Sequence, residues 1–252
     1  KIRQISCKAC SNNCDVQEIT VDGEKTYWGD KCSEQFRKKR KVERKTVIPN
    51  LVDVYLERLH SRMPSSNGLG IKIGFPRTMY HFDRFPFWST YFGELGAELV
   101  LSENTNITIV SEGRELCLSE PCFPIVAGHG HYKNVFQKNV DYIFIPNVIN
   151  AETDDIERES WFCPWGQTLP LVLRNTIDNP TEDKILAPNI RFRDGFSSLE
   201  KNLRPVTKQL GVSAQKSKKA LQLAYQMQKK FKHEIQQIGK DVLTTIETQK
   251  QN

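Results

Sequence analysis

The seven cysteines are the residues best suited to chemistry in this chain, and they are spread unevenly over its 252 residues. Cys7, Cys10, Cys14 and Cys32 crowd the first 32 residues, while Cys117, Cys122 and Cys163 are scattered through the rest. The count is odd, and the start (KIRQISCKAC) lacks the apolar run of a secretion signal, which argues against a disulfide framework. A reducing cytoplasm with thiolate metal sites is the expectation. In the spacing Cys7-x2-Cys10-x3-Cys14-x17-Cys32, the Cys-x2-Cys pair aims two sulfurs at one point, and a hairpin return delivers the later ligands. Four thiolates in a tetrahedral array suit zinc or an iron–sulfur cluster. So small a module could hardly fold on apolar burial, so a metal would supply folding energy. The competing reading is four reduced, unliganded thiols.

Cys122 lies in SEPCFPIVAGHGH and Cys163 in WFCPWGQTLP, each after a loop and just before a proline that opens a helix. Free amides and partial positive charge at a helix start stabilise a thiolate. Cys163 also follows a strand, and ligand sites in open α/β sheets gather at the carboxyl ends of strands. The two cysteines could meet at one cluster, or be two unrelated buried thiols.

Other residues admit a chemical and a plain role. His129 and His131 of GHGH could ligate a metal, but two residues apart on a helix they diverge by about 200°, which favours packing near the Cys122 turn. Arg77 follows the first strand of the main domain and could meet an anionic substrate or cluster, or be a solvated loop arginine. Glu120 reads as a helix cap before it reads as a base. Trp161, Phe162 and Trp165 around Cys163 could shield a cluster, or simply pack.

The elements that must carry these residues follow from periodicity and punctuation. Hydrophobic residues at 38% suffice for a core, and no stretch reaches the ~18 apolar residues of a spanning helix. No membrane partner is expected. Residues 1–36 form a four-cysteine metal-binding module whose alternating stretch VQEITVDGEKTYW turns at Asp22-Gly23; the hairpin resembles a zinc ribbon and leans the metal to zinc. Residues 37–68 form a basic linker and a short helix over 51–63. Residues 69–252 form the main domain. Its strands are expected at 71–75, 97–102, 140–149 and 183–190. Helices are expected at 85–96, through ITIVSEGRELC and FPIVAGHGHYKNVFQKN, through GQTLPLVLRNT, and from Gly195 onward, with a long one over 213–248. Strands separated by helices imply right-handed crossovers, hence a Rossmann-like, doubly wound, mainly parallel sheet ending in a long helix.

The net charge of +6 suggests a polyanion partner, but residues 37–45 (RKKRKVERK) hold seven basic residues and one acid, which accounts for all of it. That run has no aromatic or amide side chains interleaved for base readout, so a solvated join between modules is favoured over nucleic-acid binding. No Gly-rich phosphate loop is present, so the chain is not expected to hydrolyse ATP.

Three phrases carry a specific resemblance: IKIGFPRTMYHFDRFPFWSTYFGELGAELVLSENTN, SEPCFPIVAGHGHYKNVFQKNVDYIFIPNVI and CPWGQTLPLVLRNT. They resemble the 2-hydroxyacyl-CoA dehydratase superfamily, and more closely the C-terminal uncharacterised domain of fused CoA-enzyme activases. A Cys-x2-Cys-x-Asn-x-Cys element precedes that domain, and CKACSNNC matches it. The resemblance covers roughly residues 5–248. It implies low-potential electron transfer driven by ATP hydrolysis, with an ATP-dependent activator domain or a dehydratase-like subunit as partner and cluster ligands at Cys122 and Cys163. A third ligand belongs in a second α/β lobe, beyond the long helix. Cys117 matches no motif position, so the cluster site is expected to be incomplete here, the chain a fragment, and the domain not catalytically complete alone. Two alternatives remain: a non-catalytic zinc-containing interaction module that docks such a partner, and a nucleic-acid-binding zinc protein.

Overall fold

The computed structural model describes residues 1–8, 12, 14–31, 48–61, 63, 68–155, 157, 159–176 and 184–249. Cys10, Cys32 and the basic run 37–45 lie outside the described residues. The chain divides into two compact units, Lys1–Val47 and Ile48–Asn252.

The first unit is a three-stranded antiparallel sheet of β1 (Ile2–Ser6), β2 (Asp15–Val21) and β3 (Glu24–Trp28), in that order. The β2–β3 hairpin turns at Asp22 (φ +50°) and Gly23 (φ +83°), the double left-handed geometry that Asp-Gly adopts at little cost. Strand β1 was not foreseen. The cysteine-bearing loop joins it to β2 and is closed by Cys7 N–H donating to Cys14 O at 2.8 Å.

The second unit begins with α1 (Leu51–His60), capped by Asn50, whose side chain accepts Val52 N–H. The sequence reading placed this helix in the linker. It packs into the α/β unit: Leu59 is fully buried, and the Tyr55 ring meets Phe231 edge-on at 5.5 Å. The elements that follow are β4 (Lys72–Phe75), α2 (His81–Leu95), β5 (Glu98–Leu101), α3 (Ile107–Leu116), α4 (Phe123–Phe136) and β6 (Tyr142–Phe144). After them come β7 (Asn147–Asn150), α5 (Pro164–Arg174), β8 (Ile185–Leu186), β9 (Asn189–Arg191), α6 (Gly195–Gln209) and α7 (Ala214–Gln249).

Strands β5, β4, β6 and β8 form a parallel sheet in that order. Both faces are covered, and the period-two alternation of the strands shows it. Ile73, Phe75, Leu99, Phe144 and Leu186 point into a core built with α2, α6 and α7. Ile143, Ile145 and Ile185 point into a second core with Tyr132 and Val135 of α4 and Leu169 and Leu173 of α5. This is the doubly wound arrangement. The first core is strongly aromatic: Phe85, Phe87, Trp88, Tyr91 and Phe92 of α2 are fully buried, each contributing about 2–3 kcal/mol of apolar transfer.

One expectation needs correction. The expected strands 140–149 and 183–190 are each broken in two, at Pro146 and at Pro188. Proline has no N–H for the ladder. Ile145 N–H still reaches Leu186 O and Asn147 N–H reaches Pro188 O, both at 2.9 Å, but beyond the prolines β7 and β9 pair as a separate two-stranded parallel sheet.

Candidate functional site

The carboxyl edge of the parallel sheet gathers the candidate residues. Strand β4 ends at Phe75, and the tight connection to α2 holds Met79 at φ +47°, a left-handed conformation that costs a non-glycine residue about 1 kcal/mol. The connection serves two sides. Arg77 is tied to the loop after β5, while Tyr80 turns toward α5, its ring 4.7 Å from Phe162.

Cys122 and Cys163 occupy the N-cap positions of α4 and α5, with Pro124 and Pro164 in the first turns. Neither thiol caps its helix, and both side chains are exposed, which rules out two buried thiols. The chain delivers Cys163 by returning along β7: Ala151 N–H donates to Ser160 O at 3.0 Å and Phe162 N–H to Ile149 O at 2.9 Å. The two helices are neighbours at matching depth. Gly128, six residues after Cys122, faces the side chain of Leu169, six residues after Cys163, so closely that an added Cβ would lie 3.2 Å from Leu169 Cδ2. Phe123, Trp161 and Trp165 beside these cysteines are about half exposed (58%, 54% and 49%). Cys117 caps the C-terminus of α3, half-buried, and burial pushes its thiol up, which disfavours a thiolate ligand there.

Between the ends of β4 and β6, where the strand order reverses direction, lies a small apolar cavity of about 30 Å³. Among its lining residues, Thr78 Oγ1, Tyr80 Oη, His81 Nδ1 and Trp88 Nε1 are buried without a partner among the described residues. The space suits a water or a small polar group, which would satisfy them. Burial, reinforced by the Cys163 sulfur, pushes the Tyr80 phenol up to about 12, so it remains a proton donor at neutral pH.

A polar network crosses the other side of the same edge. Arg77 Nε donates to Ser102 O at 2.8 Å, and its Nη1 to Asn104 Oδ1 at 2.7 Å and to His60 Nε2 at 3.3 Å. His60 Nδ1 donates to Leu56 O, so its Nε2 is an acceptor, and His81 Nε2 faces it at 3.0 Å. Ser102 Oγ accepts Arg77 N–H and meets His131 Nδ1, whose ring ends on Thr105 Oγ1; all three contacts are 2.9 Å. Burial first, and the surrounding positive charge second, hold His81 at about 2 and His131 at about 4. Both are neutral in the folded protein at pH 7.

The plain roles given to GHGH hold in part. His129 is buried and bonds Ile125 O, but His131 reaches the loop after β5 rather than the Cys122 turn. Gly128 and Gly130 beside them permit close packing, against Leu169 and Ile109. Glu120 is exposed and caps nothing among the described residues. His60, His81, Ser102 and Asn104 were missed, because the pairs that meet lie 17 to 29 positions apart in the chain.

In the first unit, Cys7 is buried and Cys14 half-buried at the facing ends of β1 and β2. No group of three or more metal-ligating side chains is assembled among the described residues, which exclude Cys10 and Cys32. None of the described helices is long and apolar enough to cross a membrane.

The second unit is thus a doubly wound α/β domain with two exposed thiols at adjacent helix starts on the carboxyl edge of its sheet. A family model described as the CoA enzyme activase uncharacterised domain matches residues 72–252, and the chain belongs to that family. Neither curated proteins nor solved structures give a match.

Proposed function

We propose that this activase-family domain serves low-potential electron transfer to or within a dehydratase-type system, with Cys122 and Cys163 as thiolate donors to an iron–sulfur cluster. The observation that supports it is their placement: two exposed thiols, each at an N-cap, on neighbouring helices at one sheet edge. The helix starts favour negative charge there. A [4Fe–4S] cluster takes more ligands than two, and Cys117 is a poor third. The donor set therefore fits only as half of a site, with the remaining ligands from another lobe or a partner subunit. A bound cluster would supply one-electron chemistry. The chain's own residues would hold it, and Phe123, Trp161 and Trp165 would exclude water once a partner covers them. Cys7, Cys10, Cys14 and Cys32 would bind a separate zinc ion or [4Fe–4S] cluster in the first unit.

Anaerobic reconstitution with iron and sulfide, alone and with a dehydratase-type partner, tests this. Iron analysis and electron paramagnetic resonance should show a reducible signal with the partner, lost in Cys122→Ser and Cys163→Ser. A signal unchanged in both variants, or zinc without iron in every preparation, would sink the reading. Zinc alone would favour the second reading, a non-catalytic docking module, which the exposed aromatic rim also supports.

A further inference from the structure

The end of α1 and the loops after β4 and β5 enclose a separate cleft of about 660 Å³, lined by His60, Arg77, Asn104 and Thr105 among others. The proposed electron transfer makes no use of it. Its chemistry is set by Arg77, half-buried and held by Ser102 O, Asn104 Oδ1 and His60 Nε2. All three acceptors are neutral. No carboxylate pairs with this guanidinium among the described residues, and the N–H groups of its Nη2 have no partner there. A partly desolvated cation is costly without a counter-charge, and an oxyanion ligand would supply one.

Two neighbours add donors. Asn104 accepts from Arg77 through Oδ1, which fixes its amide and leaves Nδ2 to donate elsewhere. Thr105 Oγ1 is met by His131 Nε2; in the tautomer protonated at Nε2, with Ser102 donating to Nδ1, the Thr105 hydroxyl proton is left for a ligand. Arg77 Nη2, Asn104 Nδ2 and Thr105 Oγ1 come from two loops that line one cleft. Several donors beside one guanidinium suit the three or four acceptor oxygens of a phosphate better than the two of a carboxylate. The facing Nε2 atoms of His60 and His81 resemble half of a metal site, but Arg77 Nη1 lies 3.3 Å from the same His60 nitrogen and would repel a cation. Of the described lining residues Glu57 alone carries a carboxylate; it is exposed and takes no part in the network.

We propose that this cleft binds a phosphate-type oxyanion, with Arg77 as its main ligand and Asn104 and Thr105 as further donors. The volume exceeds that of a phosphate ion and leaves room for the organic part of a phosphate ester.

Calorimetry and imidazole NMR of His60 and His131, on the full chain at pH 7, give the test. Titrants are inorganic phosphate, glycerol 3-phosphate, acetate and zinc chloride. Saturable phosphate binding that shifts both imidazoles is expected, with acetate weaker. Tighter binding of the ester than of phosphate would identify an esterified ligand, and equal binding a free one. Asn104→Asp is the decisive variant. It keeps the acceptor for Arg77 and the fold while neutralising the site, and should weaken phosphate by roughly tenfold or more. A charge-neutralised 37–45 segment and Cys163→Ser should both leave binding intact. Affinity unchanged in Asn104→Asp, loss on neutralising 37–45, no saturation at millimolar phosphate, acetate equal to phosphate, or preference for zinc would each overturn the proposal.

Discussion

The side chain of Gln228 bridges the backbone of α2 at Phe87: its Oε1 accepts Phe87 N–H at 3.2 Å while its Nε2 donates to Asp83 O at 2.9 Å. Those two backbone groups pair with each other in a regular helix. Pro86, one residue earlier, disturbs that ladder, since its ring crowds the carbonyl four residues back. That carbonyl, on Phe82, takes the Tyr55 hydroxyl instead. Helices α1 and α7 therefore repair the backbone of α2 from two sides, and Gln228 is 4% exposed while doing so.

Replacing Gln228 with Leu should cost about 2–3 kcal/mol, because the side chain is isosteric enough to pack but leaves buried backbone groups unmet. Urea unfolding should show a lower midpoint with an unchanged slope. Stability within about 0.5 kcal/mol of the parent would show that α2 closes its own ladder.

Gly130 sits where α4 crosses α3, and an added Cβ would lie 1.8 Å from Ile109 O, a backbone atom with nowhere to go. Gly130→Ala should cost about 3 kcal/mol or force the helices apart. Gly239 in α7 has open space around its would-be Cβ, so Gly239→Ala should add about 0.5–1 kcal/mol through helix propensity. Thermal unfolding of the pair should move in opposite directions.

Stability should fall with acidification through His131 and His81. Both are depressed, to about 4 and about 2, chiefly by burial, whereas in the unfolded chain they titrate near 6.5. Below that value the unfolded state binds protons that the folded state refuses. Their contribution is complete above about pH 6.5 and is lost as pH drops toward the folded values, at roughly 1.4 kcal/mol per pH unit for each histidine. His131→Asn should flatten the slope between about pH 4.5 and 6 by close to one proton. An unchanged slope would mean that His131 is protonated in the fold.

Metal removal should act on one unit. If Cys7, Cys10, Cys14 and Cys32 share a metal, its binding energy is folding energy for a unit with few buried apolar side chains. Chelation, or Cys7→Ser, should then erase amide-exchange protection in β1–β3 and leave β4, β6 and α2 protected. Equal protection with and without chelator would count against the metal.

The local grammar of the chain was legible without its fold. Asp22-Gly23 marks a turn, Gly96 ends α2 with φ +88°, and the prolines beside Cys122 and Cys163 open α4 and α5, as their spacing implied. Alternation and helical periodicity placed the four strands of the parallel sheet and the long α7, because these patterns depend on neighbours a few residues apart. The same locality hid the rest. Pro146 and Pro188 each lie inside an apolar run expected as one strand, and side by side in the paired strands they split the sheet. His60 and His81 face each other because α1 docks on α2, and Arg77 meets Ser102 and Asn104 because β4 lies beside β5. Gln228 looks like a surface glutamine until Pro86 gives it a helix to mend. Sequence by itself determined most elements of the second unit and where its thiols start helices. Tertiary structure decided which side chains meet, because burial and hydrogen-bond satisfaction are settled between residues distant in the chain, where no periodicity reaches.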